Sequence, residues 1–426
     1  MRLDTEDKPF TLLQIRLVNA TSLIYLIALA DTFGGLLQGI IPVALLLRSI
    51  MITFLLAYVI SQPTRRPSIK LLWFALIGYF LIRVVINYLI NLDERVLLVE
   101  GGATLKLIYF PLLYAYLLDQ LDRGKIRRDQ LYSILLVYGW LILASLAVGH
   151  VSGLGGVIKG RGTEMEGGKG FMIGANEVGL MLLLTAPFVG ADMRTRMRSL
   201  FFGGMAQLLI YGIAGIFVFT KSSLIATMVS AYSVYRTFLG CGKRVRTLLW
   251  IGLLSLGIFI VVLIYRNLEV IREFALNTFF SALLDDGFVS FLFRGRQNYI
   301  TAIYPQLLNH PLNWLYLLFG AGEFNIRAMS VVPLSLMPGQ GTTFEMDFFD
   351  VFGAYGLVGF LLYAGLVGRL LRQAGPRKAP IEASVAVFCV LAHSFLAGHV
   401  LFSPQVTTLL AMVLLYWRSR GNTVLV

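Results

Sequence analysis

Apolar runs about twenty residues long recur along this chain, and they constrain its fold more than any other feature. A helix that crosses a bilayer needs about 20 mostly apolar residues. Twelve stretches meet this description, at 13–32, 37–60, 70–91, 97–118, 131–150, 171–191, 200–219, 222–239, 247–266, 344–368, 380–402 and 404–417. The first stretch has no small-residue cleavage site behind a short apolar core, so we interpret it as a retained helix. The sequence therefore predicts an all-α polytopic membrane protein, with residues 1–426 as a single integral membrane domain.

The composition excludes the soluble classes of protein. Of the 426 residues, 57% are hydrophobic and 14% are charged, against about 45–50% and roughly 25% in soluble domains. So little polar surface cannot cover a water-facing exterior, which excludes a soluble enzyme, a disordered protein and a conventional nucleic-acid binder. Cys241 and Cys389 lie far apart, and the four histidines are too few for a His-rich metal site. We therefore expect no disulfide, zinc site or cofactor.

Basic residues mark alternate connections between the predicted spans. They follow spans two, four, six, eight, ten and twelve, for example at 123–128 and at 194–198. Positive residues concentrate on the cytoplasmic side of membrane proteins. The net charge of +13 is therefore explained by orientation rather than by a nucleic-acid partner. The pattern predicts that both termini are cytoplasmic and that the protein lies in a bacterial cytoplasmic (inner) membrane.

This orientation places one long segment, 266–343, on the outer side. A connection of this length is expected to be structured and functional. Apolar residues at three- and four-residue spacing predict amphipathic helices at Leu268–Phe280 and Gln297–Leu308. The sequence Gly320-Ala321-Gly322 predicts a turn.

Ionisable and polar residues within the spans concentrate in their predicted outer halves. Such residues are costly in a membrane and raise a functional-site hypothesis, although each can also be a structural pair. The outer set is Asp31, Glu100, Lys106, Asn176, Glu177, Glu345, Asp347, Asp350, His393 and His399, while Arg48 and Arg83 lie deeper. A coupled transporter should instead place its charges near the midplane. The distribution therefore favours chemistry at the outer face.

Several basic residues are predicted to lie on the outer side, although positive residues generally concentrate on the cytoplasmic side. Arg161 and Lys169 belong to a Gly-rich loop, and Arg294 and Arg296 belong to the long segment. The planar guanidinium fork suits diphosphate and carboxylate oxygens. The alternative is that these charges are solvated or paired with nearby glutamates.

Four blocks of sequence, in order, resemble the O-antigen ligase/polymerase family, which includes the Wzy-type polymerases of surface polysaccharide. Together they extend over roughly the last 60% of the chain. The blocks are GFMIGANEVGLMLLLTAPF from Gly170, FTKSSLIATMV from Phe219, FRGRQNYITAIYPQLLNHPLNWLYLLFGAGEF from Phe293 and FEMDFFDVFGAYGLVGFLLY from Phe344. The resemblance implies about twelve transmembrane helices, one long extracytoplasmic loop and a GT-C-like architecture.

The sequence departs from the family pattern at two places. Ligases of the family carry a His-Asn/Ser/Gln pair nine residues before Gly-x-x-Gly, whereas Glu345 and Met346 stand there in this chain. Ser223 stands where the family usually has Arg, with Lys221 as the nearby cation. Both differences favour a polymerase-like member over a lipid A-core ligase.

The resemblance implies glycosyl transfer at the outer membrane face from a polyprenyl-diphosphate-linked oligosaccharide. In this hypothesis Glu345 is the general base and Asp347 orients the acceptor, with His399 as a second candidate base. Arg296 and Arg294 hold the diphosphate, so the enzyme is metal-independent. Lys169, Arg161, Asn176 and Lys221 complete the predicted substrate-binding set.

Other functions fit the same residues. Glu345 and Asp347 could instead hold Mg²⁺, although two carboxylates alone make a weak site. A ligase would join a preformed glycan to lipid or protein, and a transporter or flippase would move glycan without chemistry. The partners expected for a polymerase are membrane lipids, a chain-length regulator and a flippase, with no nucleic acid.

Overall fold

The computed structural model describes most of the chain. It covers residues 20–37, 43–61, 67–155, 157–159, 166–172, 175–197, 199–218, 220–239, 247, 251, 293, 296–331, 344, 346–374, 381–396 and 398–420. The helices are α1 (Ala20–Leu37), α2 (Val43–Ser61), α3 (Pro67–Asn91), α4 (Glu94–Asp122), α5 (Arg128–Ser152), α6 (Ala175–Arg196), α7 (Leu200–Val218), α8 (Lys221–Leu239), α9 (Gln297–Asn309), α10 (Asn313–Phe319), α11 (Glu323–Val331), α12 (Asp347–Ala374), α13 (Ile381–Leu396) and α14 (Pro404–Arg420). In the Gly-rich loop, β1 (Val157–Lys159) pairs antiparallel with β2 (Glu166–Gly168).

Helices occupy eleven of the twelve predicted spans. The ninth, 247–266, lies outside the described residues apart from positions 247 and 251. Within the described part, six helices are long and apolar enough to cross a membrane, namely α3 to α7 and α12. Apolar runs fold this way because backbone polar groups in lipid must be satisfied within their own segment. The described part of the chain is thus helical and contains six candidate membrane-spanning helices, and the count of twelve crossings stays a prediction.

One prediction of local structure changes. The eleventh predicted span ends early, because α13 stops at Leu396 and residues 398–402 form a turn before Pro404 begins α14. In the long outer segment, the amphipathic helix predicted at Gln297–Leu308 is confirmed as α9. The helix predicted at Leu268–Phe280 lies outside the described residues.

Two buried helices organise the bundle. Helix α6 contacts α5, α7, α8, α13 and α14, and helix α4 contacts α2, α3, α11, α12 and α14. Leucines 180 and 182–184 on α6 and Leu107, Leu112 and Leu113 on α4 are almost fully buried. Helix α14 packs against both of these helices and so links them.

Helix α12 is kinked at Gly356, where the backbone (φ 64°, ψ −174°) is essentially restricted to glycine. At the kink, the carbonyls of Gly353 and Ala354 accept hydrogen bonds from a turn that we call the GAG turn, Gly320–Gly322. The N–H of Ala321 donates to the carbonyl of Gly353 at 2.8 Å, and the N–H of Gly322 donates to the carbonyl of Ala354 at 3.1 Å. A Cβ on Gly356 would collide with the backbone of the turn. The predicted Gly-rich turn is therefore confirmed, and it fits against the break in α12.

Four polar side chains surround the GAG turn, and we call Tyr79, Arg83, Asn87 and Glu100 the clamp. The Tyr79 hydroxyl donates to the carbonyl of Phe319, directly before the turn, at 2.8 Å. Arg83 Nη2 donates to the carbonyl of the turn's first residue at 2.6 Å and to Asn87 Oδ1 at 3.1 Å. Glu100 Oε1 accepts from the N–H of Phe324 at 3.0 Å. The clamp thereby fixes where α11 begins.

Candidate functional site

A cavity of about 350 Å³ lies between α4, the starts of α6 and α12, helix α11 and the turn 398–402. All five segments belong to the end of the bundle that the positive-charge pattern predicts to be outside. The charged and titratable residues that line the cavity are Lys106, Glu177, Glu323, Arg327, Asp350 and His399. Residues far apart in sequence are therefore assembled into one concave, polar site, as is typical of ligand-binding sites.

His399 and Asp350 face each other in this cavity. The distance from His399 Nδ1 to Asp350 Oδ2 is 3.7 Å. The histidine side chain is 39% exposed, whereas the aspartate side chain is 1% exposed. The other carboxylate oxygen, Asp350 Oδ1, accepts a hydrogen bond from the N–H of Phe344 at 2.8 Å. The aspartate is thus fixed and buried, and the imidazole can reach a ligand.

Asp347 holds the turn that carries His399. Its Oδ2 atom accepts hydrogen bonds from Ser394 Oγ at 2.5 Å, Val400 N at 2.8 Å and Leu401 N at 2.9 Å. The side chain of Asp347 is completely buried and does not line the cavity. This geometry makes Asp347 an anchor for the turn 398–402.

An ion pair forms the α11 side of the cavity. Arg327 donates to Glu323 Oε1 through Nη2 at 2.5 Å and through Nε at 3.2 Å. On the α4 side, the exposed Lys106 forms no ion pair with any of the described residues. The cavity therefore presents two cations, Lys106 and Arg327, in addition to the His399–Asp350 pair.

The starts of α6 and α8 lie side by side. Thr220 Oγ1 accepts from Ser223 N at 3.2 Å, and Ser223 Oγ accepts from Thr220 N at 3.0 Å. This reciprocal pairing caps the first turn of α8. Ser222 Oγ donates to the carbonyl of Asn176 at 3.5 Å. Ser223, the residue that departs from the family pattern, therefore has a structural role at a helix start.

The structure brings together some of the predicted site residues and not others. Asn176 and Lys221 lie at the adjacent helix starts, and Asp347 lies directly behind His399. Arg296 is buried at the start of α9, and Lys169 is half-buried beside β2. Neither of these two lines the cavity. Three further predicted residues lie outside the described part of the chain: Glu345, Arg294 and Arg161.

Sequence reasoning missed the Glu323–Arg327 pair. The available signal is a four-residue spacing directly after the Gly-x-Gly turn, which fits a helical ion pair. Residues 323–331 lacked a strong apolar periodicity, so no helix was predicted there. In the described ranges, no group of three His, Cys, Asp or Glu side chains could hold a metal ion, and Glu345 of the Mg²⁺ alternative lies outside them.

A second polar cluster lies inside the bundle, and we call Asp31, Arg48 and Tyr138 the Asp31 cluster. Arg48 of α2 forms an ion pair with Asp31 of α1. The Tyr138 hydroxyl of α5 donates to Asp31 Oδ2 at 3.0 Å. Gln405 Nε2 of α14 donates to the carbonyl of Asp31 at 3.3 Å. The cluster therefore links four helices.

In comparisons with known proteins, the chain matches no family model, no curated protein and no solved structure. The resemblance to the O-antigen ligase/polymerase family therefore rests on the four sequence blocks. In the fold, the first block leads into α6 and the second begins α8. The third block contains α9 and α10 and ends in the first turn of α11, and the fourth begins α12.

Proposed function

We propose that this chain is a membrane glycosyltransferase that polymerises surface-polysaccharide repeat units at the outer face of the cytoplasmic membrane. The observation that carries the proposal is that the His399–Asp350 pair, Lys106 and Arg327 all line one cavity. A base and a set of cations are the two requirements for glycosyl transfer from a diphosphate-linked donor.

His399 is the proposed general base. The acceptor hydroxyl oxygen attacks the anomeric carbon of the donor, and its proton passes to the imidazole. Asp350, 3.7 Å from His399 Nδ1, orients the ring and stabilises the imidazolium that forms. Glu345 remains a competing base, because the resemblance implies a catalytic group at that position.

Lys106 and Arg327 are the proposed ligands of the donor diphosphate. The bond between the anomeric carbon and the diphosphate oxygen breaks, and the two cations stabilise the negative charge that develops on the leaving oxygen. Arginine suits this role because its fork matches phosphate oxygens. The sequence-based assignment of Arg296 and Arg294 to the diphosphate, with Lys169 and Arg161 as further substrate-binding residues, stays a prediction.

The apolar part of the cavity wall supports a lipid-linked donor. Leu98 and Val99 line the cavity on α4, and the Leu98 side chain is 79% exposed. Gly102 lies on the same wall with open space where a Cβ would be. In a membrane, this arrangement lets a polyprenyl chain lie against α4 while its diphosphate reaches Lys106.

The test is the size of lipid-linked glycan in a deletion strain complemented with variants. We expect the deletion strain and the His399→Gln strain to accumulate single repeat units, and wild-type chain length to return with the control His150→Gln. His150 is an exposed histidine at the same end of the bundle, stacked on Phe217 outside the cavity. Long polymer in the His399→Gln strain would contradict the proposed base, and Glu345→Gln in the same assay would identify the alternative.

The same assay separates the other functions. Long chains that remain unattached in the deletion strain would indicate a ligase. Repeat units trapped on the cytoplasmic side would indicate a flippase. Either result would contradict a polymerase. A chain-length regulator and a flippase that supplies the donor are the partners that belong to this proposal.

A further inference from the structure

In the Glu323–Arg327 pair, a carboxylate contacts a cation that lines the cavity. Both Nε and Nη2 of Arg327 contact the same oxygen, Glu323 Oε1, at 3.2 and 2.5 Å. The Arg327 side chain is 46% exposed and the Glu323 side chain is 8% exposed. Both residues line the cavity. A ligand that binds Arg327 must therefore compete with Glu323.

The position of Glu323 is not explained by the stability of α11. The start of this helix already receives a carboxylate, because Glu100 Oε1 accepts from the N–H of Phe324. A second carboxylate in the same first turn is repelled by the first. A half-exposed ion pair four residues apart on a helix also contributes little to stability. The pair is therefore better explained by what it does in the cavity.

The charges around the cavity agree with a competing role. Three carboxylates, Glu177, Glu323 and Asp350, line the cavity together with two cations, Lys106 and Arg327. An anion entering this site meets carboxylates as well as cations, so its affinity depends on which charges are already neutralised. Glu323 is the carboxylate that contacts a cavity cation directly.

We propose that Glu323 is a displaceable counter-ion that regulates anion binding in the cavity. A diphosphate group releases Arg327 from Glu323 on binding, and Glu323 takes Arg327 back when the polyprenyl diphosphate leaves. The counter-ion weakens binding of the leaving group and so promotes its release. The identity of the anion as a diphosphate rests on the proposed function.

The experiment measures the affinity of inorganic diphosphate for the purified full-length protein, by its shift of thermal unfolding in detergent at fixed ionic strength. We expect Glu323→Gln to bind diphosphate up to about fivefold more tightly, the factor that corresponds to a pair worth about 1 kcal/mol. Arg327→Gln should bind more weakly than wild type. The double variant Glu323→Gln/Arg327→Gln should gain nothing over Arg327→Gln, because the gain requires the freed guanidinium.

Asp93→Asn is the matched control. Asp93 pairs with Arg95 at 2.6 Å at the same end of the bundle, outside the cavity. Asn retains the capping oxygen that Asp93 supplies to α4. This variant should bind diphosphate as wild type does. An equal gain in Asp93→Asn and Glu323→Gln would show a general charge effect and would overturn the proposal.

Two other results would also overturn it. These are unchanged or weaker binding in Glu323→Gln, and absence of diphosphate binding in every variant. Because the measurement involves no glycosyl transfer, it separates the two proposals. A gain in Glu323→Gln together with long polymer in the His399→Gln strain would support the counter-ion and contradict the proposed catalytic role of His399. Glu323→Ala provides a second carboxylate-free variant if Glu323→Gln does not fold.

Discussion

The Asp31 cluster and the cavity both place charged groups inside or beside the helix bundle, yet they are built differently. In the Asp31 cluster the two ionised side chains face each other, with 2% of Asp31 and 15% of Arg48 exposed. Around the cavity each pair joins a buried carboxylate to a more exposed basic group. The side chain of Asp350 is 1% exposed and that of His399 39%. The side chain of Glu323 is 8% exposed and that of Arg327 46%. One site is closed, and the other leaves its basic groups within reach of a ligand.

This difference separates a structural ion pair from a functional one. Buried charges are retained in a protein only when they are paired or when they have a chemical role. The partners of Asp31 come from α2, α5 and α14, so the Asp31 cluster fastens helices together. The cavity carboxylates instead lie beside the proposed base, His399, and beside Arg327. Variants of the two sites should consequently affect different measurements.

The largest effect on folding is expected at the Asp31 cluster. Arg48→Gln leaves the Asp31 carboxylate buried without its cation, which typically costs about 3–5 kcal/mol. We expect a marked fall in the thermal unfolding temperature of the purified protein. The double variant Asp31→Asn/Arg48→Gln should be more stable than Arg48→Gln alone, because neither charge remains. Wild-type stability in Arg48→Gln would show that the cluster is not a structural pair.

Asp350→Asn is expected to affect activity with little effect on folding. The amide oxygen can still accept from the N–H of Phe344, but the negative charge 3.7 Å from His399 Nδ1 is lost. We expect repeat-unit transfer to fall about 100-fold, within the range for a general base. The measurement is the rate of glycan extension per amount of folded protein, with thermal unfolding as the control. Undiminished extension would favour Glu345 as the base.

Gly356→Ala tests the link between the bundle and the cavity. The backbone at this position is one that alanine adopts at a cost of about 1–3 kcal/mol, and the added Cβ would meet the GAG turn. We expect a moderate loss of stability together with weaker diphosphate binding, because the turn positions Glu323 and Arg327. Gly365→Ala on the same helix is the control, since a Cβ there meets nothing within 4 Å. Equal effects of both substitutions would contradict a special role for the kink.

The sequence predicts the helices better than it predicts their contacts. Long apolar runs specify where helices form, and eleven predicted spans contain one. The charge pattern also anticipates that Lys106, Glu177, Asp350 and His399 share one end of the bundle, because their depths follow from the alternation of basic loops. The depth of a residue in the membrane depends only on its position along its own span, so it can be predicted from the sequence.

The contacts that build the site join distant parts of the chain. Glu100 bonds to Phe324 across 224 residues, and Asp347 bonds to Val400 across 53. No local pattern specifies such partners. The kink at Gly356 likewise depends on the GAG turn packed against it, and nothing in the local Gly-x-x-Gly sequence predicts that contact. Asp347 therefore holds a turn in the structure, whereas the sequence suggested an acceptor-binding role.

The smallest effect is expected at the opposite end of the bundle. Arg127 and Asp129 lie 3.3 Å apart near the start of α5, and both side chains are largely exposed. Solvent and salt screen such a pair, and the two side chains lose entropy when they pair, so its net contribution is small. We expect Asp129→Asn to shift the unfolding temperature by less than about 2 °C and to leave glycan extension unchanged. If Asp129→Asn lost as much stability as Arg48→Gln, side-chain exposure would not explain which ion pairs stabilise this protein.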